Sequence, residues 1–178
     1  NEWNLCKQNG VTSVTEALIG YDGLSIAVSR GNAAALDLTK AQLFQALAAE
    51  VEINGQVVAN PYSNWSEIDP SLPSIPSTVF GPPPTSGTRD AFVELVMVPG
   101  CRSFAALDAL EPARRTEVCA RMRQDGKFIE AGENDNLIVQ RLNQDSNAFG
   151  IFGYSFLEEN ALRFLVELRA PALVGLLE

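Results

Sequence analysis

The sequence predicts an α/β domain in which helices flank a mixed, mostly parallel sheet. Three observations carry that expectation. Short β-rich runs such as Leu24-Ser25-Ile26-Ala27-Val28 alternate with stretches of helical periodicity. Helix-start and turn signals punctuate them at close intervals. The 178 residues, 46% of them hydrophobic, suffice for one core burying on the order of 70% of the unfolded surface.

Taken in order, residues 1–10 read as the end of a helix, with Asn9-Gly10 as its stop. Tyr21-Asp22-Gly23 is a turn into the buried strand 24–28. Thr39 and Gln42 fit a capping box, and Leu43, Phe44, Leu47 and Val51 then recur at helical spacing. Asn54-Gly55 between two β-rich runs signals a tight, peripheral hairpin, because both residues tolerate positive φ. From Asn60 to Pro76, four prolines and Trp65 suggest an irregular loop wrapped on the surface. Thr78-Val79-Phe80 is the next strand.

Beyond residue 100, Ser103 is placed as the cap of a helix through Leu107 and Leu110. Pro112 suits a first helical position, and Val118 and Met122 continue an apolar stripe. Arg114, Arg115, Arg121 and Arg123 are interleaved with acids and read as a solvated helix face. Asn134-Asp135-Asn136 caps a helix through Leu142, a strand follows at 148–152, and Ser155 with Glu158 forms a second capping box. Residues 161–178 are a return segment without a definite reading.

The stretch richest in chemistry is Gly81 to Phe92, GPPPTSGTRDAF. Pro82, Pro83 and Pro84 can neither continue a ladder nor enter a helix interior, so a stiff extended segment delivers the chain to a helix start at 85–88. Ser86, Gly87, Thr88 and Arg89 are the candidate ligand-binding residues. Free amides, two hydroxyls, the positive dipole end and a guanidinium would converge there on a small oxyanion. Against this stands the plainer reading in which Ser86 is only a cap and Arg89 is solvated. On that reading the chain is a structural or interaction domain.

Composition narrows the classes. With 13 basic and 22 acidic residues the net charge is −9, which argues against nucleic acid as a partner. The chain has no histidine, so Ser-His and Cys-His nucleophiles are excluded. No Cys/Asp/Glu run has metal-ligand spacing, and no cofactor is implied. The expectation is a non-enzymatic protein. Cys101 and Cys119 would close a loop worth roughly 3 kcal/mol if oxidised, as suits an exported protein; three reduced thiols are the alternative. Cys6 is left over.

The blocks IGYDG at 19–23, TSGTRDAF at 85–92, GENDNLIVQRL at 132–142 and FGIFGYSFLEEN at 149–160 together resemble the second lobe of PstS-type phosphate-binding proteins. The resemblance implies one lobe of a type II periplasmic-binding-protein fold over residues 1–160. It also implies phosphate as ligand, an ABC-transporter membrane permease as partner, periplasmic location, and a first lobe of the same parent chain to complete the site. That lobe could pair with Cys6. Some members of the family carry an arginine before the serine, where this chain has Pro82 to Pro84 and places Arg89 after it. The resemblance also implies that the DNLIVQ helix packs near the cleft, where Asn136 could help the site, but plain capping is the favoured reading of that residue.

Overall fold

The computed structural model describes residues 2–13, 23–29, 36–132, 134–154, 156 and 163–164. Its sheet has five strands in the order β5-β4-β6-β1-β7: β1 Leu24–Val28, β4 Val79–Gly81, β5 Phe128–Glu130, β6 Phe149–Gly153 and β7 Arg163–Phe164. β4 pairs in parallel with β5 and β6, whereas β1 runs antiparallel to both β6 and β7. Four strands therefore point one way and β1 the other, the mixed, mostly parallel arrangement expected. The hairpin of β2 Glu50–Ile53 and β3 Gln56–Ala59 turns at Asn54 (φ 52°) and Gly55 (φ 77°), as the dipeptide requires.

Strand alternation builds a core on each face of the sheet. Val79, Phe149, Ile151, Ile26 and Val28 join the larger core with Phe44, Trp65 and Phe92. Phe80, Ala27, Ala148 and Phe152 face the other way, against Ile138 and Leu142 of helix α8 Asp135–Gln144. Gly150 makes that second approach possible: a Cβ there would lie 2.7 Å from the Ile138 side chain and 2.5 Å from the Phe152 ring.

Helix α1 is Glu2–Gln8, and Gly10 ends it with φ 85°. Helix α2, Lys40–Leu47, carries both bonds of the Thr39–Gln42 capping box. Its last four carbonyls are all engaged. The Ala48 amide donates to Phe44 O, Asn60 Nδ2 to Gln45 O, Arg123 Nη1 to Ala46 O, and the Arg123 amide to Leu47 O. Without a basic residue in its own last turn, α2 receives its positive terminus from a residue 77 positions away.

Two expectations need correction and a third needs refinement. Residues 60–76 do run largely irregularly over the surface, but they contain the short helix α3 Trp65–Ile68, and Trp65, the one buried residue of the segment, packs against Phe149. The residue supplies an aromatic plug that the prolines around it obscured. Ser103 does not cap the next helix, because its hydroxyl bonds back to Pro99 O. Phe104 occupies the cap position of α6 Ala105–Asp108, and Glu52 of the hairpin accepts from the Ala106 amide instead. Arg123 leaves the solvated face: after α7 Pro112–Ala120 ends, its side chain turns inward to 4% exposure. Arg114 and Arg121 remain outside, and both pair with Glu50.

Several carboxyl groups sit below their ordinary range because they accept hydrogen bonds: Asp125 from Arg123, Glu67 first from the Ser63 amide, Asp69 first from the Ser71 amide, and Glu117 from Arg114. A folded-state value below the unfolded one means stability present above the unfolded pKa and lost as pH falls through the folded one. Asp135 is displaced upward by burial and acts in the opposite sense. Calorimetric melting temperatures should therefore stay level from pH 7 to 5 and fall below about pH 4, where free carboxyl groups protonate. A level profile down to pH 3 would contradict this.

Candidate functional site

Strand β4 ends at Gly81, and residues 82–86 carry the chain to the next helix. Proline at three consecutive positions restricts this strap to extended geometry until the Ser86 amide closes a turn onto Pro83 O at 3.0 Å. Ser86 (φ −89°, ψ 132°) is the N-cap of α4 Gly87–Phe92. The helix continues through a π-helical turn, Val93–Met97, into α5 Val98–Cys101. Pro99 explains the widened turn. Its ring would collide with the carbonyl four residues back in a regular helix, and the Val98 amide reaches Val93 O instead. A disulfide from Cys101 to Cys119 fastens the far end of this helical run to α7.

The start of α4 is left open. The Ser86 side chain makes no capping bond. Its carbonyl accepts from the amides of Arg89 at 3.0 Å and Asp90 at 3.2 Å, whereas no hydrogen bond among the described residues engages the amides of Gly87 and Thr88. Gly87 is exposed and a Cβ there would meet nothing within 4 Å. Gly87 and Thr88 border a cavity of about 160 Å³ whose other walls are Gly23, Leu24, Ala91, Leu95 and Gly153. Two backbone donors at the positive end of a helix thus belong to residues that border a small recess, beside the ends of β1 and β6.

Arg89 goes elsewhere. Its Nη1 donates to Pro82 O at 3.1 Å and its guanidinium carbon lies 4.6 Å from the centre of the Phe128 ring. It lines a different groove, with Pro84, Asp90, Val93, Glu94, Val98 and Thr116. Burial lowers its pKa, and the charges of Glu130 and then Asp90 oppose that shift. The backbone amide of Arg89, expected as a third donor, is already committed to Ser86 O, because at the third helical position it reaches the N-cap carbonyl.

Asn134 is the N-cap of α8, its Oδ1 accepting from both the amide and the side chain of Asn136. Asp22 and the Ser155–Glu158 capping box lie outside the described residues. Leu95, read from the sequence only as part of an apolar helix face, and Gly153 wall the recess and were not expected at the site. Only the FGIFGY block hinted at the latter. Among the described residues no group of three or more Cys, Asp and Glu is placed to hold a metal, and no helix is long and apolar enough to cross a membrane.

Comparison with known proteins places this geometry in context. A family model described as the PBP superfamily domain matches residues 1–172. The chain is 26% identical over 160 residues to the protein SphX of Synechococcus elongatus, covering 89% of this chain and 38% of that protein. It is 27% identical over 145 residues to the phosphate-binding protein PstS of Staphylococcus saprophyticus, covering 82% of this chain and 34% of that one. Among solved structures, a possible phosphate binding protein from Planctomyces limnophilus superposes with a TM-score of 0.57 at 27% identity, over 93% of this chain and 48% of that one. The chain thus spans less than half the length of each of these relatives.

Proposed function

Because the chain belongs to the PBP superfamily domain family, we propose that it is the anion-holding lobe of a phosphate-binding protein serving an ABC-type importer. The observation that carries this reading is the pair of unengaged amides, Gly87 and Thr88, at a helix start beside the recess. Phosphate would take those two N–H donors and the hydroxyls of Ser86 and Thr88 in place of water. Arg89, whose guanidinium bonds Pro82 O and lines a different groove, is outside this donor set. No bond is made or broken, so the role is capture rather than catalysis. Fixed dipoles aimed at one point let a chain of net charge −9 hold an anion, since distant carboxylates are screened by salt. The remaining donors would come from a first lobe of the parent protein, with closure about a hinge, and the setting would be the periplasm.

Gly87 offers a clean test. It is the first helical residue, its amide bonds nothing among the described residues, and Ser86 already has the extended backbone that precedes proline. Gly87→Pro should leave melting unchanged or slightly raised, since the substitution fits the native backbone. It removes one donor to a charged ligand, worth about 1.5–3 kcal/mol, so calorimetric titration with inorganic phosphate should show roughly 10- to 100-fold weaker binding. Equal affinity in the variant would remove the Gly87 amide from the site. A wild-type chain that binds neither phosphate nor sulfate would count against the whole reading, unless the parent protein binds and thereby assigns the deficit to the other lobe.

A further inference from the structure

The proline strap between β4 and α4 is tied at both ends to one residue. Pro82 O accepts from the Arg89 guanidinium at 3.1 Å, and Ser86 O accepts from the Arg89 amide at 3.0 Å. The guanidinium carbon lies over the ring of Phe128 on β5, so a single side chain joins the strap, the first helical turn and the neighbouring strand. None of the ion pairs among the described residues includes Arg89. A half-buried cation whose direct contacts are a carbonyl and a ring, with Glu130 and Asp90 acting on it only through their charges, is costly to keep merely for stability.

Resting on the phosphate reading above, we infer that Arg89 is a positioning residue: it clamps the Pro82–Ser86 strap so that the Gly87 and Thr88 amides are presented to the recess, and it does not itself touch the anion. The side chain lines the groove on the other side of the helix from the recess bordered by Gly87 and Thr88. Its effect on binding runs through the strap. Lysine is a poor substitute because an ammonium has neither the planar face for Phe128 nor the same reach to Pro82 O.

Three variants decide the matter, each measured with and without inorganic phosphate. Arg89→Met keeps an apolar stem, Arg89→Lys keeps the charge, and Phe128→Leu removes only the backing ring. Without phosphate, hydrogen exchange at the Ser86 and Asp90 amides, which bond Pro83 O and Ser86 O, should quicken about tenfold in Arg89→Met and nearly as much in Arg89→Lys, since strap opening is local. Phe128→Leu should show a smaller change in the same direction. Phosphate affinity should fall in the same order, in samples still fully folded by near-ultraviolet circular dichroism at the assay temperature. Unchanged exchange in Arg89→Met with weakened phosphate binding would overturn the inference and make Arg89 a direct ligand. Full affinity in Arg89→Lys with unchanged exchange would overturn it equally. Should Arg89→Met fail to fold, Arg89→Lys and Phe128→Leu carry the decision. A wild type that binds no phosphate defeats the function reading alone, because the ligand-free exchange still tests the clamp.

Discussion

Trp65→Ala is expected to lower the unfolding free energy by about 3–5 kcal/mol, the range for removing a large buried aromatic. For a chain of this size the melting temperature should drop by roughly 6–20 °C. Trp65 is fully buried and its ring lies 5.0 Å from that of Phe149, tilted by 59°. It plugs the larger core from a segment with little regular structure of its own. The companion variant separates packing from polarity. Trp65 Nε1 has no hydrogen-bond partner among the described residues, so Trp65→Phe keeps an aromatic against Phe149 and removes a buried donor; its cost should stay below about 1.5 kcal/mol. Equal losses in the two variants would show that the indole edge itself is indispensable.

Arg123→Met should cost roughly 3 kcal/mol in denaturant unfolding, because the side chain is buried and serves three partners at once. Nη1 reaches Ala46 O at 3.1 Å and Tyr62 O at 2.8 Å, while Nε donates to Asp125 at 2.8 Å. Methionine fills much of the volume but leaves two inward carbonyls without donors. Arg123→Lys should recover little, since a single ammonium cannot reproduce the planar fork. Arg121→Ala is the control: that side chain is about half exposed and bonded to Glu50 and Glu117, and surface pairs are worth at most about 1 kcal/mol. Comparable losses at 121 and 123 would refute the distinction drawn between the two arginines.

Wherever local chemistry decides structure, the sequence was legible. Thr39 with Gln42, Asn54-Gly55, Pro112 and Asn134 mark features whose geometry is settled within four residues. The strand at 24–28 and the strand–strap–helix order around residue 81 followed from periodicity and from what proline forbids. Failures cluster where a distant group intervenes. Ser103 lost its cap to Glu52, Arg123 was drawn inward by carbonyls at 46 and 62, and Trp65 was claimed by a strand more than eighty positions later. At the candidate site the open amides of Gly87 and Thr88 were foreseeable from capping rules. The direction of Arg89 was not, because it depends on where β5 places Phe128. The π-helical turn has a local cause in Pro99, but proline alone does not specify which compensation the helix adopts.

The C-terminal end of α2 also bears on the order in which the molecule assembles. Its carbonyls at 45, 46 and 47 are satisfied by residues 60 and 123, not by its own sequence neighbours. During synthesis the helix can nucleate at its capping box, but its closing turn must remain solvated until residue 123 has emerged and folded back. The disulfide partner Cys119 emerges four residues earlier. The disulfide and the seating of Arg123 therefore close the same stretch of chain, and the segment 101–123 acts as a latch on the end of α2 while β5, α8 and β6 are still to come.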